Sequence, residues 1–142
     1  MKRFVAISIL LLLACINIHA QYFYDGKGSI LGNIDGSGYV HNRGGSIVGR
    51  INKNGFLYSA SGSIVGRLDS DKVRDASGSI IGYVQGGGMV YDRSLQSVGK
   101  IGNYGMVYDS QLKLIGRAKG LSPTVIAALY FFDLIPLQRE RG

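Results

Sequence analysis

The sequence predicts an all-β fold, a closed and pseudo-symmetric repeat of β-hairpins finished by a short apolar C-terminal helix or cap. Three observations predict it. Six glycines, Gly32, Gly49, Gly66, Gly82, Gly99 and Gly116, recur at intervals of 17, 17, 16, 17 and 17 residues, each in text like Ser46-Ile47-Val48-Gly49-Arg50-Ile51. A fixed period of this kind marks a repeat architecture. Between the marks lie short apolar runs bounded by Gly, Asp, Asn and Ser, which suit strands and turns and leave no room for helices. Finally, 22 glycines accompany only 2 prolines and 46% hydrophobic residues, which excludes both a collagen triplet and a disordered Gly-rich linker.

The first 20 residues read as an export signal. Lys2 and Arg3 form the charged start, Phe4 to Ala14 the apolar core, and Ile18-His19-Ala20 a small-residue exit, with cleavage expected after Ala20. Leu12-Leu13-Ala14-Cys15 offers the alternative of a lipobox, in which Cys15 carries lipid and becomes the first mature residue. Residues 21–120 then form the hairpin domain and 121–142 the apolar cap and polar tail. Loss of Lys2 and Arg3 takes the formal charge from +7 to +5. That moderate excess suits solubility or affinity for anionic polymers and lipid headgroups. Nucleic acid is not an expected partner of an exported chain without a basic run longer than two residues. Cys15 is the single cysteine, so disulfides play no part.

Each unit opens with a short strand: Tyr22-Phe23-Tyr24, Tyr39-Val40-His41, Phe56-Leu57-Tyr58, Lys72-Val73-Arg74, Met89-Val90-Tyr91 and Met106-Val107-Tyr108. Alternation along a strand sends the central residue inward and its neighbours outward. A turn follows, starting at Asp25, Asn42, Ser59, Asp75, Asp92 or Asp109, with glycine three residues on at Gly28, Gly45, Gly62 and Gly78. Asp, Asn or Ser bonds the turn's own backbone, and glycine admits a positive φ. One carboxylate per unit is too few for a calcium site of six to eight oxygens, so no metal is expected.

In the second strand, alternation predicts Ile47, Gly49 and Ile51 on the core face and Val48 and Arg50 outside, and likewise in every unit. A core glycine between bulky residues implies close approach of another group or a bent strand. The units are joined by short turns such as Asp35-Gly36-Ser37-Gly38 and Lys53-Asn54-Gly55. After Gly120, Ser122 suits a helix N-cap and Pro123 its first position. The run from Thr124 to Ile135 reads as an apolar helix or a buried strand that closes the open end of the repeat. Exposure of this segment would instead mean a membrane or subunit contact. It falls short of the roughly 20 residues that span a bilayer.

Chemistry is sparse. His41, the single histidine left after removal of the signal, stands where other units have Tyr58, Tyr91 and Tyr108, and reads as a repeat variant without the partners a nucleophile needs. The Gly-rich Gln85-Gly86-Gly87-Gly88 lacks the Lys-Ser/Thr of a phosphate loop. No enzymatic activity and no cofactor are expected. The series one residue past each marking glycine is more suggestive: Asn33, Arg50, Arg67, Tyr83, Lys100 and Arg117, with Tyr24, Tyr58, Tyr91 and Tyr108 as a second series. Repeated cations beside aromatic rings are able to hold an anionic glycan by many weak contacts. Equally, long basic side chains cover apolar sheet surface with their stems.

The repeated text exemplified by Met106-Val107-Tyr108-Asp109 with Leu114-Ile115-Gly116-Arg117, preceded by a signal and followed by Ala127-Ala128-Leu129-Tyr130-Phe131-Phe132, resembles the five-fold β-flower proteins, small exported proteins of bacteria. The resemblance covers residues 21 to about 135. It implies hairpins radiating about an axis and assigns no activity to particular residues. Six hairpin-like units stand here where the family's name says five. Together these readings lead to a non-enzymatic structural or interaction module of the cell envelope, periplasmic or secreted. The alternative is a binder of carbohydrate or anionic polymer. Its partner is an envelope protein or an anionic glycan, and a membrane partner follows only from lipidated Cys15 or an exposed C-terminal segment.

Overall fold

A computed structural model describes residues 20–137, so the signal segment with Cys15 and the polar tail from Gln138 lie outside the described residues. Twelve strands run in chain order: β1 (Gln21–Asp25), β2 (Ile30–Ile34), β3 (Tyr39–Asn42), β4 (Ile47–Ile51), β5 (Phe56–Ser59), β6 (Ile64–Asp69), β7 (Lys72–Asp75), β8 (Ile80–Val84), β9 (Met89–Asp92), β10 (Ser97–Ile101), β11 (Met106–Asp109) and β12 (Leu114–Arg117). Each pairs antiparallel with its sequence neighbours, and β1 pairs with β12 through Tyr24 and Arg117, so the sheet closes as an up-and-down barrel. Closure leaves no unpaired edge. The six marking glycines thus correspond to six hairpins.

The hairpin turns follow the predicted chemistry. Asp25 Oδ1 accepts the amides of Lys27 and Ser29, each at 2.9 Å, and Asp75, Asp92 and Asp109 repeat the arrangement. Gly28, Gly45, Gly62 and Gly78 have φ between 87° and 92°, the left-handed region that costs glycine nothing.

Strict alternation fails in the second strands. Every hairpin carries a β-bulge, as where Val40 pairs with Gly49 but His41 pairs with Ile47. The extra residue changes which side chains face inward. Ile47 is therefore 48% exposed and not in the core, as are Ile30 and Ile64, while Leu31, Val48 and Val65 pack against the core instead. The predicted core face is correct from the glycine onward: the glycine is buried and Val84, Ile101 and Ala118 follow it inward.

Inside the barrel, Phe23, Val40, Leu57, Val73, Val90 and Val107 form a ring with no exposed surface. The C-terminal segment fills the space they enclose. Helix α1 (Pro123–Tyr130) is capped by Ser122, whose Oγ accepts the Val125 amide at 3.4 Å, and it ends earlier than Ile135. Four consecutive residues, Ile126 to Leu129, are buried. Because four successive residues reach nearly all round a helix, α1 is surrounded, as a helix without a polar face must be.

From the last residue of the helix onward, one side chain after another meets one glycine after another. Tyr130 lies against Gly116, Phe131 against Gly99, Phe132 against Gly82, Leu134 against Gly66 and Ile135 against Gly49. Asp133, with φ 53°, is skipped. A β-carbon on Gly66 would stand 2.9 Å from Leu134 Cδ1 and 2.7 Å from the Arg74 carbonyl oxygen, which is why the marking residue is glycine. The sixth place is filled from the barrel itself. At Gly32 the neighbour is the Phe23 ring, 3.1 Å from where a β-carbon would be, and Phe23 is the one aromatic in the inner ring.

Candidate functional site

With the interior filled by apolar side chains, polar chemistry is confined to the outer face of the barrel. Among the described residues no polar or charged side chain is buried. The register builds a belt of short rows there. Arg50 lies between Tyr39 and Tyr58, Arg67 between Phe56 and Arg74, Tyr83 between Lys72 and Tyr91, Lys100 between Met89 and Tyr108, and Arg117 between Met106 and Tyr24. Asn33 sits between Tyr22 and His41. The two series picked out in the sequence are therefore direct cross-strand neighbours, the unit of side-chain interaction in a sheet. Their rows are spread around the barrel and do not converge on one point.

Three cations already stack on rings of this chain. The guanidinium carbon of Arg50 lies 5.0 Å from the Tyr39 ring centre, that of Arg67 5.0 Å from Phe56 and that of Arg117 5.1 Å from Tyr24. Such contacts give roughly 0.5–1 kcal/mol where water reaches them. Sequence reasoning missed Tyr39 and Phe56 as stacking partners. They lie 11 residues before Arg50 and Arg67, a separation that identifies a pair only once the bulged register is known.

Two of the rows floor open clefts on the outer face. One, of about 390 Å³, is lined by Tyr39, Ile47, Arg50, Tyr58 and the turn from Ser59 to Gly62. The next, of about 290 Å³, is its repeat equivalent, lined by Phe56, Ile64, Arg67, Arg74 and the turn from Asp75 to Gly78. The chemistry differs between them. The first offers Tyr58 where the second has Arg74, and Arg74 is occupied by Asp69, its Nε 2.9 Å from Oδ2.

His41 is engaged at both ring nitrogens. Nε2 lies 3.0 Å from Asp35 Oδ2 and Nδ1 3.4 Å from the Gly45 carbonyl oxygen. Two acceptors favour the doubly protonated ring, and the Asp35 carboxylate first of all, aided by Gly45, raises the His41 pKa against the opposing effect of burial. Burial pushes Asp35 up, but His41 and the amides of Tyr39 and Ser37 outweigh it, so the carboxyl titrates below its ordinary range. This is a structural ion pair at the place where unit three has Asn52 Nδ2 donating to the Tyr58 hydroxyl at 3.3 Å. Tyr130 is likewise structural: burial raises its pKa while its hydroxyl donates to the Tyr24 carbonyl at 2.7 Å. Among the described residues no three His, Cys, Asp or Glu side chains are placed to hold a metal ion.

A family model described as 5-fold beta-flower protein matches residues 20–133 of the chain. No curated protein and no solved structure matches it.

Proposed function

The chain belongs to the 5-fold β-flower family, and we propose that it is a non-enzymatic, exported interaction module of the cell envelope. The observation that carries this reading is the partition of the molecule. The inner face is committed to packing the chain's own C-terminal segment, while the outer face repeats one chemical pattern, a cation beside an aromatic ring, around the barrel. Repetition of weak contacts is a way of gaining avidity and not of building one catalytic constellation. Export is supported by Lys2, Arg3, the apolar run Phe4 to Ala14 and the small-residue exit at Ala20. Intact mass and fractionation of the protein from its native host test it. A chain beginning at Gln21 in a soluble periplasmic or secreted fraction is the expected result. Retention of Met1 in the cytoplasm would overturn export, and a lipid on Cys15 would place the barrel on a membrane tether.

A second reading is favoured by the cleft of Tyr39, Arg50 and Tyr58, where a guanidinium and two phenol rings face an open volume that suits an acidic sugar. Titration with a uronic-acid polysaccharide tests it. Binding that weakens with salt and disappears when Arg50, Arg67 and Arg117 are changed together to alanine supports the glycan reading. Binding unaffected by the triple change removes it and leaves the module reading intact.

A further inference from the structure

One of the equivalent places on the outer face differs from the rest in charge. Each place has a floor, the residue one past a marking glycine, and a wall, the hairpin turn of the following unit. Four floors are cationic: Arg50, Arg67, Lys100 and Arg117. The register sets the first residue of the wall opposite the marking glycine, one step along the strand from the floor cation. Asp75 stands opposite Gly66, Asp109 opposite Gly99 and Asp25 opposite Gly116, whereas Ser59 stands opposite Gly49. Three of the four cations thus have a turn carboxylate beside them, and Arg50 has a hydroxyl.

The two clefts show the consequence. Among the described residues, none with a carboxylate lines the cleft over Arg50, while in the cleft over Arg67 the two arginines, Arg67 and Arg74, are balanced by Asp69 and Asp75. Arg50 rests on the Tyr39 ring by the flat face of its guanidinium, which leaves the N–H groups at the edge for bonding. Of these, Nε donates to the Ser37 carbonyl at 3.3 Å. Asp35, on the same turn as Ser37, is already engaged by His41 and by the amides of Ser37 and Tyr39. The wall supplies further donors. Ser59 Oγ accepts the Ser63 amide at 3.2 Å and lies 2.9 Å from Ser61 Oγ, but the Ser61 amide lacks the side-chain acceptor that Asp75 gives Ser77 at 3.0 Å. Tyr58 and Ile47, the latter turned outward by the bulge, add apolar surface to the same cleft.

We propose that this cleft is a single site for one uronic-acid residue of a glycan, its carboxylate paired with the Arg50 guanidinium and its ring laid over Tyr58 and Ile47, and that Ser59 is the residue that admits it. The edge of a guanidinium matches a carboxylate with two parallel hydrogen bonds. A phenol ring offers an apolar face to the C–H side of a sugar and a polar tip to its hydroxyls. One cation balances one carboxylate, whereas a dianionic phosphate would leave a charge over. At the other three cationic places the turn carboxylate supplies the negative charge itself and repels that of a ligand. The inference rests on the glycan reading and narrows it, from a belt of equivalent contacts to one place selected by the absence of an acid.

Isotopically labelled protein isolated from its host is titrated with trigalacturonate and followed by the shifts of its amide NMR signals. Saturation at one ligand per chain is expected, with the shifts centred on Arg50 and the turn from Ser59 to Gly62, and with weaker binding in added salt. Galactotriose, the uncharged counterpart, is expected to bind roughly tenfold more weakly or less. Ser59→Asp is expected to lower affinity for trigalacturonate roughly tenfold or more, because it sets one carboxylate beside another. That variant carries the turn residue of Asp25, Asp75, Asp92 and Asp109, so it folds. Ser59→Asn has the size of aspartate without its charge and the residue of Asn42, and is expected to bind as the parent does. Arg50→Ala is expected to lose as much as the joint change of Arg50, Arg67 and Arg117, and Arg67→Ala to lose nothing. Undiminished binding by Ser59→Asp, an equal loss in Ser59→Asn, more than one site per chain, or equal losses at Arg50 and Arg67 would overturn this proposal, and the glycan reading would survive if the joint arginine change still abolished binding. Equal binding of galactotriose would also overturn it. No binding by the parent would remove both.

Discussion

On the inner face of the barrel the repeat position is constant and its partner changes. Gly49, Gly66, Gly82, Gly99 and Gly116 meet Ile135, Leu134, Phe132, Phe131 and Tyr130 in turn. One residue further along the same strands, on the outer face, the position itself changes: Asn33, Arg50, Arg67, Tyr83, Lys100 and Arg117 all occupy it. The difference follows from what each face touches. Inside, a β-carbon would meet a packed side chain at every place, and a neighbouring strand's carbonyl oxygen as well at Gly49, Gly66, Gly99 and Gly116, so none fits. Outside, the neighbours are long side chains in water, and exchanging one for another leaves the ladder unaffected.

The largest effect is expected where the inner rule is broken. Gly82→Ala puts a methyl group into the Phe132 ring, and overpacking of this kind costs about 1–3 kcal/mol. Phe132→Leu in the same chain is expected to recover part of that loss, so a double-mutant cycle by urea unfolding gives a coupling well above the roughly 0.5 kcal/mol of independent sites. The matched outer change, Tyr83→Ala, is expected to stay within about 1 kcal/mol. Equal losses at Gly82 and Tyr83, or no coupling to Phe132, would remove the distinction between the faces.

The first hairpin sharpens it further, because the side chain nearest its glycine, Gly32, comes from the barrel and not from the C-terminal residues that meet the other five. Phe23 takes their place beside Gly32 and also packs edge-on to Tyr130, ring centres 6.4 Å apart. Phe23→Val installs the residue of Val40, Val73, Val90 and Val107. Even so, it is expected to destabilise by roughly 2–4 kcal/mol, somewhat less than truncation of a buried Phe to alanine, because nothing else fills the place. A loss below about 1 kcal/mol by thermal or urea unfolding would mean that the ring closes without it.

These cases show what was legible in the sequence. The period, the turns and the inward Phe23-to-Val107 series rest on local chemistry, Asp and Gly at fixed offsets and alternation over three residues, and all appear in the structure as read. Two features do not rest on local chemistry. The bulge that turns Ile47 out and Val48 in depends on pairing across the hairpin. The match of Tyr130 to Ile135 with five glycines joins residues up to 86 positions apart, and no repeat within the tail announces it. On the outer face both candidate series were legible, because side chains two residues apart keep the same face. Their stacking partners were not, because the bulged register decides which rows meet.

The smallest effect concerns a row whose chemistry has changed while its geometry has not. Asp35 and His41 stand where unit three has Asn52 and Tyr58, so the same hydrogen-bonded pair carries charge in one unit and none in the other. In the folded protein His41 titrates above its ordinary 6.5, held up chiefly by the Asp35 carboxylate. Its contribution to stability is therefore complete below about pH 6.5 and is lost as pH rises through the folded value. Asp35 titrates below 3.8, so its contribution is present above that value and is lost as pH falls through the folded one. The pair stabilises most between these limits. With His41 22% and Asp35 36% exposed, solvent screening keeps the gain under about 1 kcal/mol. Asp35→Asn/His41→Tyr copies the uncharged pair of unit three into unit two and is expected to flatten the urea midpoint between pH 5 and 8, where the parent declines. A parallel decline in both proteins would place the pH dependence elsewhere and leave the row as geometry alone.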